Sequence, residues 1–417
     1  MSKYLSGITD EMWFTFFQSC VGSAGWSAAM PFFGVYLSVT RGVPLSLVGV
    51  SYLFAALLGF GSQLIGGRLV DSFGPKKVMY LGYVISTITS TITAYLVIVN
   101  TNVLILLILY PCFNFSRGFS QPAIGTIVSG RKGNQLRTGF ALQYIGGNLG
   151  FAIGPAVGGF LAQYVGYGSI FLLGSATSLV TLGSAMFWFR KERPDENLQA
   201  AKSDRRIKYR LSWNKDSGII LLLALMFCSF LALGYEITPM SLYAASFLHI
   251  PTSEIGLLFT TNGALIVVAQ LPMTRFYSKF RSMVFPLIIS CVLMASAYLI
   301  VAFSTVFLEL ELAMIVVTMG EVSLTVPAQI AITGFSKPGN RGTFQGYYSA
   351  FSNGGRSIAS FIGPSTFQLF ASQVKVAWYA IGSFALLTGV LLAWSSPRVQ
   401  HDYDKTQESR QDASTVE

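Results

Sequence analysis

The chain has 417 residues, of which 52% are hydrophobic and 11% are charged, and its mean hydropathy is +0.56. A soluble protein carries roughly a quarter charged residues, so this composition excludes an ordinary soluble domain and predicts an all-α membrane protein. The formal net charge of +10 does not indicate nucleic-acid binding, because basic residues in the loops of a membrane protein set its orientation.

Twelve stretches have the length and the apolar character of membrane-spanning helices, which need about 20 residues each. They cover residues 12–39, 45–71, 77–99, 103–129, 137–165, 167–190, 217–248, 253–276, 282–303, 306–334, 342–371 and 374–395. We therefore predict an N-terminal six-helix bundle (1–190), a cytoplasmic linker (191–216), a C-terminal six-helix bundle (217–395) and a cytoplasmic tail (396–417). The polar composition of that tail predicts disorder.

Basic residues are distributed unevenly between the two sets of loops. One set holds Arg68, Lys76, Lys77, Arg131, Lys132, Arg137, Arg275, Lys279, Arg281, Lys337 and Arg341. The opposite set holds only Arg41 and Lys375. Because basic loops stay in the cytoplasm, both termini and the 191–216 linker are predicted to be cytoplasmic.

The two halves resemble each other at a nearly constant offset. A shift of 207 residues places residues 46–68 over residues 253–275, and shifts of 205 to 209 align Pro-Ala and Gly-Pro pairs in the same order. Pseudo-symmetric six-helix bundles are typical of rocking transporters whose site lies between the halves.

A charged cluster, GGRLVDSFGPKK at 66–77, separates the second and third predicted spans. Glycine allows close helix contact, Gly74 can form a turn, and an aspartate can accept hydrogen bonds from a helix N-terminus or pair with an arginine. The cluster resembles the signature loop of the major facilitator superfamily. The resemblance implies that Asp71 helps to latch the two halves together near residue 342. The alternative is a tight turn whose lysines only set the orientation in the membrane, with no role in conformational switching. The predicted latch residues are Gly67, Asp71, Gly74, Lys76, Lys77 and Arg131, the last as a candidate partner of Asp71.

The fifth predicted span contains a second glycine motif, GFAIGPAVGG at 150–159. Its glycines form a smooth helix face beside a proline kink, which would permit close packing against the other half. In the superfamily this pattern resembles the mark of drug–proton antiporters, although close packing in a transporter of either direction explains it as well. The motif residues are Gly150, Gly154, Pro155, Gly158 and Gly159.

Four ionisable residues fall near the middle of predicted spans: Arg117, Glu236, Glu321 and Arg356. Each costs about 2.5–3.5 kcal/mol in hydrocarbon, so each should face the protein interior or water. We predict that Arg356 pairs with Glu321 and that Arg117 reaches Glu236. Drug exchangers commonly carry an arginine four residues before a glycine of this span, and here Asn114 occupies that place before Gly118. Arg117 either replaces that arginine from a shifted helix face or serves another purpose.

Glu236 and Glu321 are the candidates for proton coupling, with Arg117 and Arg356 as their charge partners. A carboxyl group in a partly dry cavity favours its protonated form and a nearby guanidinium favours the ionised form, so making and breaking ion pairs can load and release a proton. Static ion pairs that fix helix packing are the alternative. Asp10, Glu11, Glu309 and Glu311 lie near span ends and are predicted to be solvated, and a role in gating or proton entry is the alternative.

Aromatic and amide residues of the spans around the expected cavity suit an amphipathic organic molecule or a lipophilic cation. The candidates are Trp26, Tyr36, Asn114, Gln143, Tyr144, Asn148, Tyr235, Tyr243, Asn262, Gln270, Tyr347 and Asn353.

The sequence contains no catalytic constellation, metal cluster or phosphate-binding motif, so we expect neither an enzyme nor a cofactor. The prediction is a monomeric, multi-pass protein of the cell membrane whose partners are a small-molecule substrate, protons and the lipid bilayer. It would export hydrophobic or cationic compounds, as in multidrug efflux, by proton-coupled alternating access. The alternative is a proton symporter for a sugar, organic acid or amino acid, which the same fold supports. A third possibility is a receptor or scaffold that transports nothing.

Overall fold

The computed structural model describes residues 8–43, 45–191, 213–250, 252–280, 282–370 and 373–415, and these form helices joined by short turns. The helices are α1 Asp10–Val35, α2 Leu45–Phe73, α3 Pro75–Ile98, α4 Val103–Ser129, α5 Gly133–Tyr164, α6 Gly168–Lys191, α7 Trp213–Leu233, α8 Thr238–Ser246, α9 Thr252–Tyr277, α10 Phe285–Phe303, α11 Phe307–Phe335, α12 Arg341–Leu369 and α13 Lys375–Thr415.

Nine helices in the described part of the chain are long and apolar enough to cross a membrane. The predicted helical membrane protein is therefore confirmed, whereas the number of twelve spans and the cytoplasmic termini stay predictions. Most of the linker, residues 192–212, lies outside the described residues.

The chain divides into two compact units, and the boundary does not follow the sequence alone. Unit 1 comprises Met1–Tyr209 together with Pro338–Ala350, and unit 2 comprises Arg210–Lys337 and Phe351–Glu417. Within unit 1, α1 packs against α5 and α6, α2 against α4, and α3 against α4 and α6. Within unit 2, α10 packs against α11 and α13, α9 against α11, and α13 against α7.

The stretch 217–248, predicted as one span, is interrupted. Helix α7 ends at Leu233, a 3-10 turn covers Gly234–Glu236, and α8 begins at Thr238 with a proline in its first turn. Pro239 cannot supply a backbone N–H, and its ring disfavours helical geometry in the residue before it. The break frees the carbonyl of Ala232, which accepts a hydrogen bond from the Tyr298 hydroxyl at 2.5 Å.

The expectation that residues 396–417 are disordered is wrong for the described part, because α13 continues to Thr415. The Asp402 carboxylate accepts a hydrogen bond from the Gly218 N–H at 2.8 Å, and Arg398 donates to the Ser217 hydroxyl at 2.9 Å. Gln407 donates to the Gly334 carbonyl at 2.7 Å. Composition alone missed this helix because its order depends on capping the start of α7, whose first N–H groups lack partners within that helix.

Candidate transport site

Two carboxylates and one guanidinium meet inside unit 2. Arg356 of α12 lies with Nη2 2.9 Å from Glu321 Oε1 and with Nη1 3.4 Å from Glu236 Oε1. Both glutamate side chains are buried, with exposed fractions of 3% and 4%, whereas Arg356 is 23% exposed. The predicted pair of Arg356 with Glu321 is confirmed as a contact, and Glu236 joins it. We call these three residues the acid–arginine cluster.

Neighbouring polar groups hold Glu321 in place more completely than Glu236. Asn262 of α9 donates to Glu321 Oε2 and to the Thr318 hydroxyl, both at 3.0 Å. By contrast, Glu236 Oε2 is buried and has no hydrogen-bond partner among the described residues. The two carboxylates therefore differ: each oxygen of Glu321 has a donor, whereas one oxygen of Glu236 is available for a proton.

The interruption of α7 explains how Glu236 reaches Arg356. A Cβ atom added at Gly234 would lie 2.9 Å from the Arg356 Cα and 2.6 Å from the Ala359 Cβ, so only glycine lets the turn approach α12 this closely. Glu236 follows two residues later in the 3-10 turn. In transporters, membrane helices are commonly interrupted at the binding site, since irregular backbone is tolerated there only where it lines a cavity. The sequence GYEITP carried this signal, which the span prediction overlooked.

Arg117 lies in unit 1, where its guanidinium carbon stands 4.1 Å from the centroid of the Trp26 ring. Both residues line a polar cavity of about 40 Å³ within this unit, together with Gln18 and Tyr83. The Tyr83 hydroxyl donates to Gln18 Oε1 at 2.7 Å. Cation–π contact and a polar cavity both lower the cost of a buried guanidinium. Glu236 belongs to unit 2, and its pairing with Arg117 stays a prediction.

Asp71, the centre of the predicted latch, binds the first turn of α12 inside unit 1. Its Oδ1 accepts the Gly342 N–H at 2.6 Å, and its Oδ2 accepts the Thr343 N–H at 2.7 Å and the Thr343 hydroxyl. A Cβ atom at Gly67 would lie 2.9 Å from the Gly346 Cα, so α2 and α12 touch through their backbones. Gly74 has a φ of 84° and ends α2. The carboxylate at this helix N-terminus is the geometry that the resemblance implied, and the latching role stays a prediction.

Arg131 does not pair with Asp71, and this expectation is corrected. The Arg131 guanidinium forms an ion pair with Glu11, with Nε at 2.7 Å from Oε2 and Nη2 in closer contact. Both oxygens of Asp71 are already filled by donors of α12. Glu11, predicted to be solvated, is 22% exposed and forms this ion pair. Lys76, another predicted latch residue, lies in the first turn of α3 with its Nζ 5.7 Å from the centroid of the Phe189 ring.

The glycine motif of α5 packs against α1 of its own unit, and its predicted packing against the other half stays a prediction. Cβ atoms at Gly150, Gly154 and Gly158 would overlap the backbone carbonyls of Cys20, Ala24 and Ala28, respectively. Both sets repeat every four residues, so a glycine stripe on α5 meets a stripe of small residues on α1. Pro155 lies within this helix, and a Cβ at Gly159 would meet the Phe32 ring at 3.0 Å.

The cavity candidates fall into different surroundings. Asn262 belongs to the acid–arginine cluster, and Trp26 supports Arg117. Tyr36 and Tyr243 are packing residues: the first is buried in the unit 1 core and the second is stacked among aromatic rings.

The remaining candidates are placed as follows. Tyr235 contacts the Thr366 hydroxyl, Gln270 donates to Thr274, Asn148 donates to the Tyr144 carbonyl, Gln143 has a buried amide oxygen, Tyr347 is buried and Asn353 is exposed. The side chain of Asn114 lies outside the described residues.

Glu311 is a residue that the sequence analysis placed in solvent and that the structure places in the protein. Its Oε1 accepts a hydrogen bond from the Thr261 hydroxyl, and its Oε2 is buried. Its position near the start of α11 favoured solvation. The side chain is covered because α9 packs against α11, and the sequence alone does not show which helix packs there.

The amino-acid sequence is similar to those of several bacterial membrane proteins. It is 25% identical over 383 residues to the uncharacterized MFS-type transporter YttB of Bacillus subtilis, covering 89% of this chain and 90% of that one. It is 22% identical over 351 residues to the quinolone resistance protein NorA of Staphylococcus aureus, covering 82% and 84% of the two chains. A multi-drug resistance efflux pump PmrA homolog of Lactococcus lactis is 28% identical over 238 residues, covering 56% of this chain and 55% of that one.

Solved structures share the fold at lower identity. The human organic anion transporter MFSD10 superimposes with a TM-score of 0.72 at 14% identity and covers 92% of this chain and 100% of its own. A bacterial homologue of the iron transporter ferroportin gives a TM-score of 0.72 at 13% identity, covering 93% and 100%. The sequence model of the protein family named Major Facilitator Superfamily matches residues 15–242 and 222–416 of this chain. The chain therefore belongs to the Major Facilitator Superfamily and is a multi-pass membrane transporter.

Proposed function

We propose that this transporter is a proton-coupled exporter of hydrophobic or cationic small molecules. The observation that carries the proposal is the acid–arginine cluster, in which Glu236 and Glu321 share the single guanidinium of Arg356. With both acids ionised the cluster has one negative charge in excess, and one bound proton makes it neutral. Because charge is costly among apolar helices, gain or loss of that proton changes which arrangement of the helices is favoured.

Glu236 is the proposed carrier of the coupling proton. Its Oε2 has no hydrogen-bond partner among the described residues, and its distance to Arg356 is the longer of the two. A proton on Glu236 leaves the shorter Arg356–Glu321 pair intact, whereas a proton on Glu321 would weaken that pair and compete with the Asn262 donor. Glu321 is the second coupling residue because it sets how strongly Arg356 is held.

The names of two relatives support export of drug-like small molecules as the direction of transport. The NorA and PmrA-like proteins are named for quinolone resistance and multidrug efflux. The glycine motif at 150–159 also resembles the antiporter pattern. An excess negative charge in the unprotonated cluster suits a cationic substrate that replaces the proton.

Purified protein in liposomes tests the proposal with ethidium as a fluorescent lipophilic cation. An acidic lumen drives accumulation by an antiporter, because protons leave as the cation enters. An acidic exterior drives accumulation by a symporter, so that result would replace export by the symport alternative.

Glu236→Gln removes the proton without changing the size of the side chain. We expect this variant to lose gradient-driven accumulation and to keep exchange of labelled for unlabelled substrate, which needs no net proton movement. Glu408→Gln, at an exposed position of α13, is the matched control and should transport normally. Full proton-driven transport by Glu236→Gln would refute the assignment of Glu236.

A further inference from the structure

Unit 2 contains another carboxylate with an unusual environment, Glu311 in the second turn of α11. The Thr261 hydroxyl of α9 donates to its Oε1, while its Oε2 is buried and has no hydrogen-bond partner among the described residues. Glu309, two residues earlier, differs: its carboxylate caps the start of α11 by accepting the Thr305 N–H at 2.5 Å and the Val306 N–H at 3.2 Å. Glu309 is therefore explained by helix capping, and Glu311 is not.

The partner of Glu311 is next in sequence to a residue of the acid–arginine cluster. Thr261 contacts Glu311, and the following residue, Asn262, donates to Thr318 and Glu321. Helices α9 and α11 run parallel, since Tyr277 further along α9 contacts Ser323 further along α11. Glu311 and Glu321 are about 15 Å apart along the axis of α11, and the Thr318 hydroxyl lies between them on the same side of the helix.

The charge environment of Glu311 offers it no close counter-ion in the described part of unit 2. Toward this end of α11, the titratable residues of the packed elements are Glu309 on α11, Glu254 in the first turn of α9, Tyr298 on α10, and Lys375 and Tyr379 in the first turns of α13. Arg275 and Tyr277 of α9 and Arg398 of α13 lie toward the opposite ends of their helices. Lys375 is engaged with the Phe303 ring at 5.9 Å. An ionisable residue within a membrane helix is costly in its charged form and commonly marks an ion or proton pathway.

We propose that Glu311 is a proton-binding site through which protons pass between the outer surface and Glu321. The inference rests on the proposed function, in which the acid–arginine cluster carries the coupling proton. In the predicted orientation the start of α11 faces the outside. A proton from water forms an O–H bond at Glu311 Oε2, and that bond breaks as the proton passes to a water molecule. A short-lived O–H bond then forms at Glu321, and it breaks when the proton moves on to Glu236, the proposed carrier. Glu311 then returns to its carboxylate form.

Glu311→Gln tests the proposal because it keeps the hydrogen bond from Thr261 and removes the exchangeable proton. Ethidium-dependent proton flux is measured in proteoliposomes with a pH-sensitive dye over a range of external pH. Substrate exchange without a gradient is measured in parallel. We expect proton-driven transport to slow at least about tenfold, its pH profile to change, and substrate exchange to remain as in the wild type. Glu311→Asp, which retains an acid, should restore most of the rate.

Control variants separate a proton site from a structural contact. Thr261→Val removes the hydrogen bond and keeps the acid, so it should change the pH profile and leave most of the transport rate. Glu309→Gln should keep the wild-type pH profile. A wild-type rate and profile in Glu311→Gln would overturn the proposal, and so would a parallel loss of substrate exchange, which marks a packing role.

Two further outcomes distinguish this proposal from the function on which it rests. If Glu236→Gln and Glu321→Gln lose proton-driven transport and Glu311→Gln does not, only the pathway through Glu311 is wrong. If Glu236→Gln keeps proton-driven transport, the proposed coupling site fails and the pathway to it is overturned as well. Transport by wild type that depends on sodium at constant pH, and loses that dependence in Glu311→Gln, would make Glu311 a sodium site instead.

Discussion

The contact of Asp71 with the first turn of α12 makes a sharp prediction for the isosteric change Asp71→Asn. The carboxylate accepts two backbone N–H groups and one hydroxyl, from Gly342 and Thr343. Asparagine keeps one acceptor oxygen, but it turns an NH2 group toward donors and removes a negative charge from a helix N-terminus. The contact should therefore weaken without a change in side-chain volume.

The magnitude follows from the number of hydrogen bonds. Each bond to a charged group is worth about 1.5–3 kcal/mol, and the interaction of the charge with the helix dipole adds about 0.3–1 kcal/mol. Loss of one to two of these interactions gives about 2–4 kcal/mol, which corresponds to an increase of about 30-fold to several hundredfold in the population of the opened contact. Thr343→Val removes only the hydroxyl and should cost about 1 kcal/mol.

Hydrogen exchange of the backbone amides at 342 and 343 measures this opening directly. We expect exchange in this segment to accelerate by the stated factor in Asp71→Asn, with exchange in α10 unchanged. Asp10→Asn, which alters the same chemical group at an exposed position, should leave the protection as in the wild type. Unchanged protection of the segment in a folded Asp71→Asn variant would show that the hydrogen bonds to Asp71 do not hold the start of α12.

Two further predictions concern packing and the C-terminal helix. Gly154→Leu places a side chain where a Cβ would already overlap the Ala24 carbonyl, so it should lower the free energy of unfolding by more than about 3 kcal/mol or prevent folding. The control is Gly183→Leu, where a Cβ meets nothing within 4 Å, and it should fold. Equal stability of the two variants would contradict the packing of α5 on α1. Asp402→Ala removes the acceptor of the Gly218 N–H, so it should lower the free energy of unfolding by about 1 kcal/mol and lower the melting temperature accordingly. A melting temperature identical to that of the wild type would show that the end of α13 does not support α7.

The chain shows why some of these features could be foreseen and others could not. The span boundaries agree with the helices to within a few residues over most of the chain, for example 103–129 for α4 and 306–334 for Phe307–Phe335. Apolar length is a local property, so it can be counted in the sequence. The pair of Arg356 with Glu321 was foreseeable because opposite charges among apolar helices have few other partners.

The partners of side chains on different helices were less predictable. Arg131 was expected at Asp71 and lies at Glu11. The contact of the glycine motif with α1 of its own unit was not foreseen. In each case two helices distant in sequence offered equally suitable groups. A motif indicates the chemical type of neighbour that its residues require. Which helix supplies that neighbour depends on how the helices pack.

The sequence by itself determined a helical membrane transporter. Hydropathy, basic loop residues and the two signature motifs are properties of short consecutive stretches, so they can be recognised without the tertiary structure. Only the tertiary structure decided that α7 is interrupted at Gly234, that Glu236 joins the pair of Arg356 with Glu321, and that Glu311 is covered by α9. These features depend on close approach between helices far apart in the chain, and the energy of a buried charge is set by those neighbours rather than by the residues beside it in sequence.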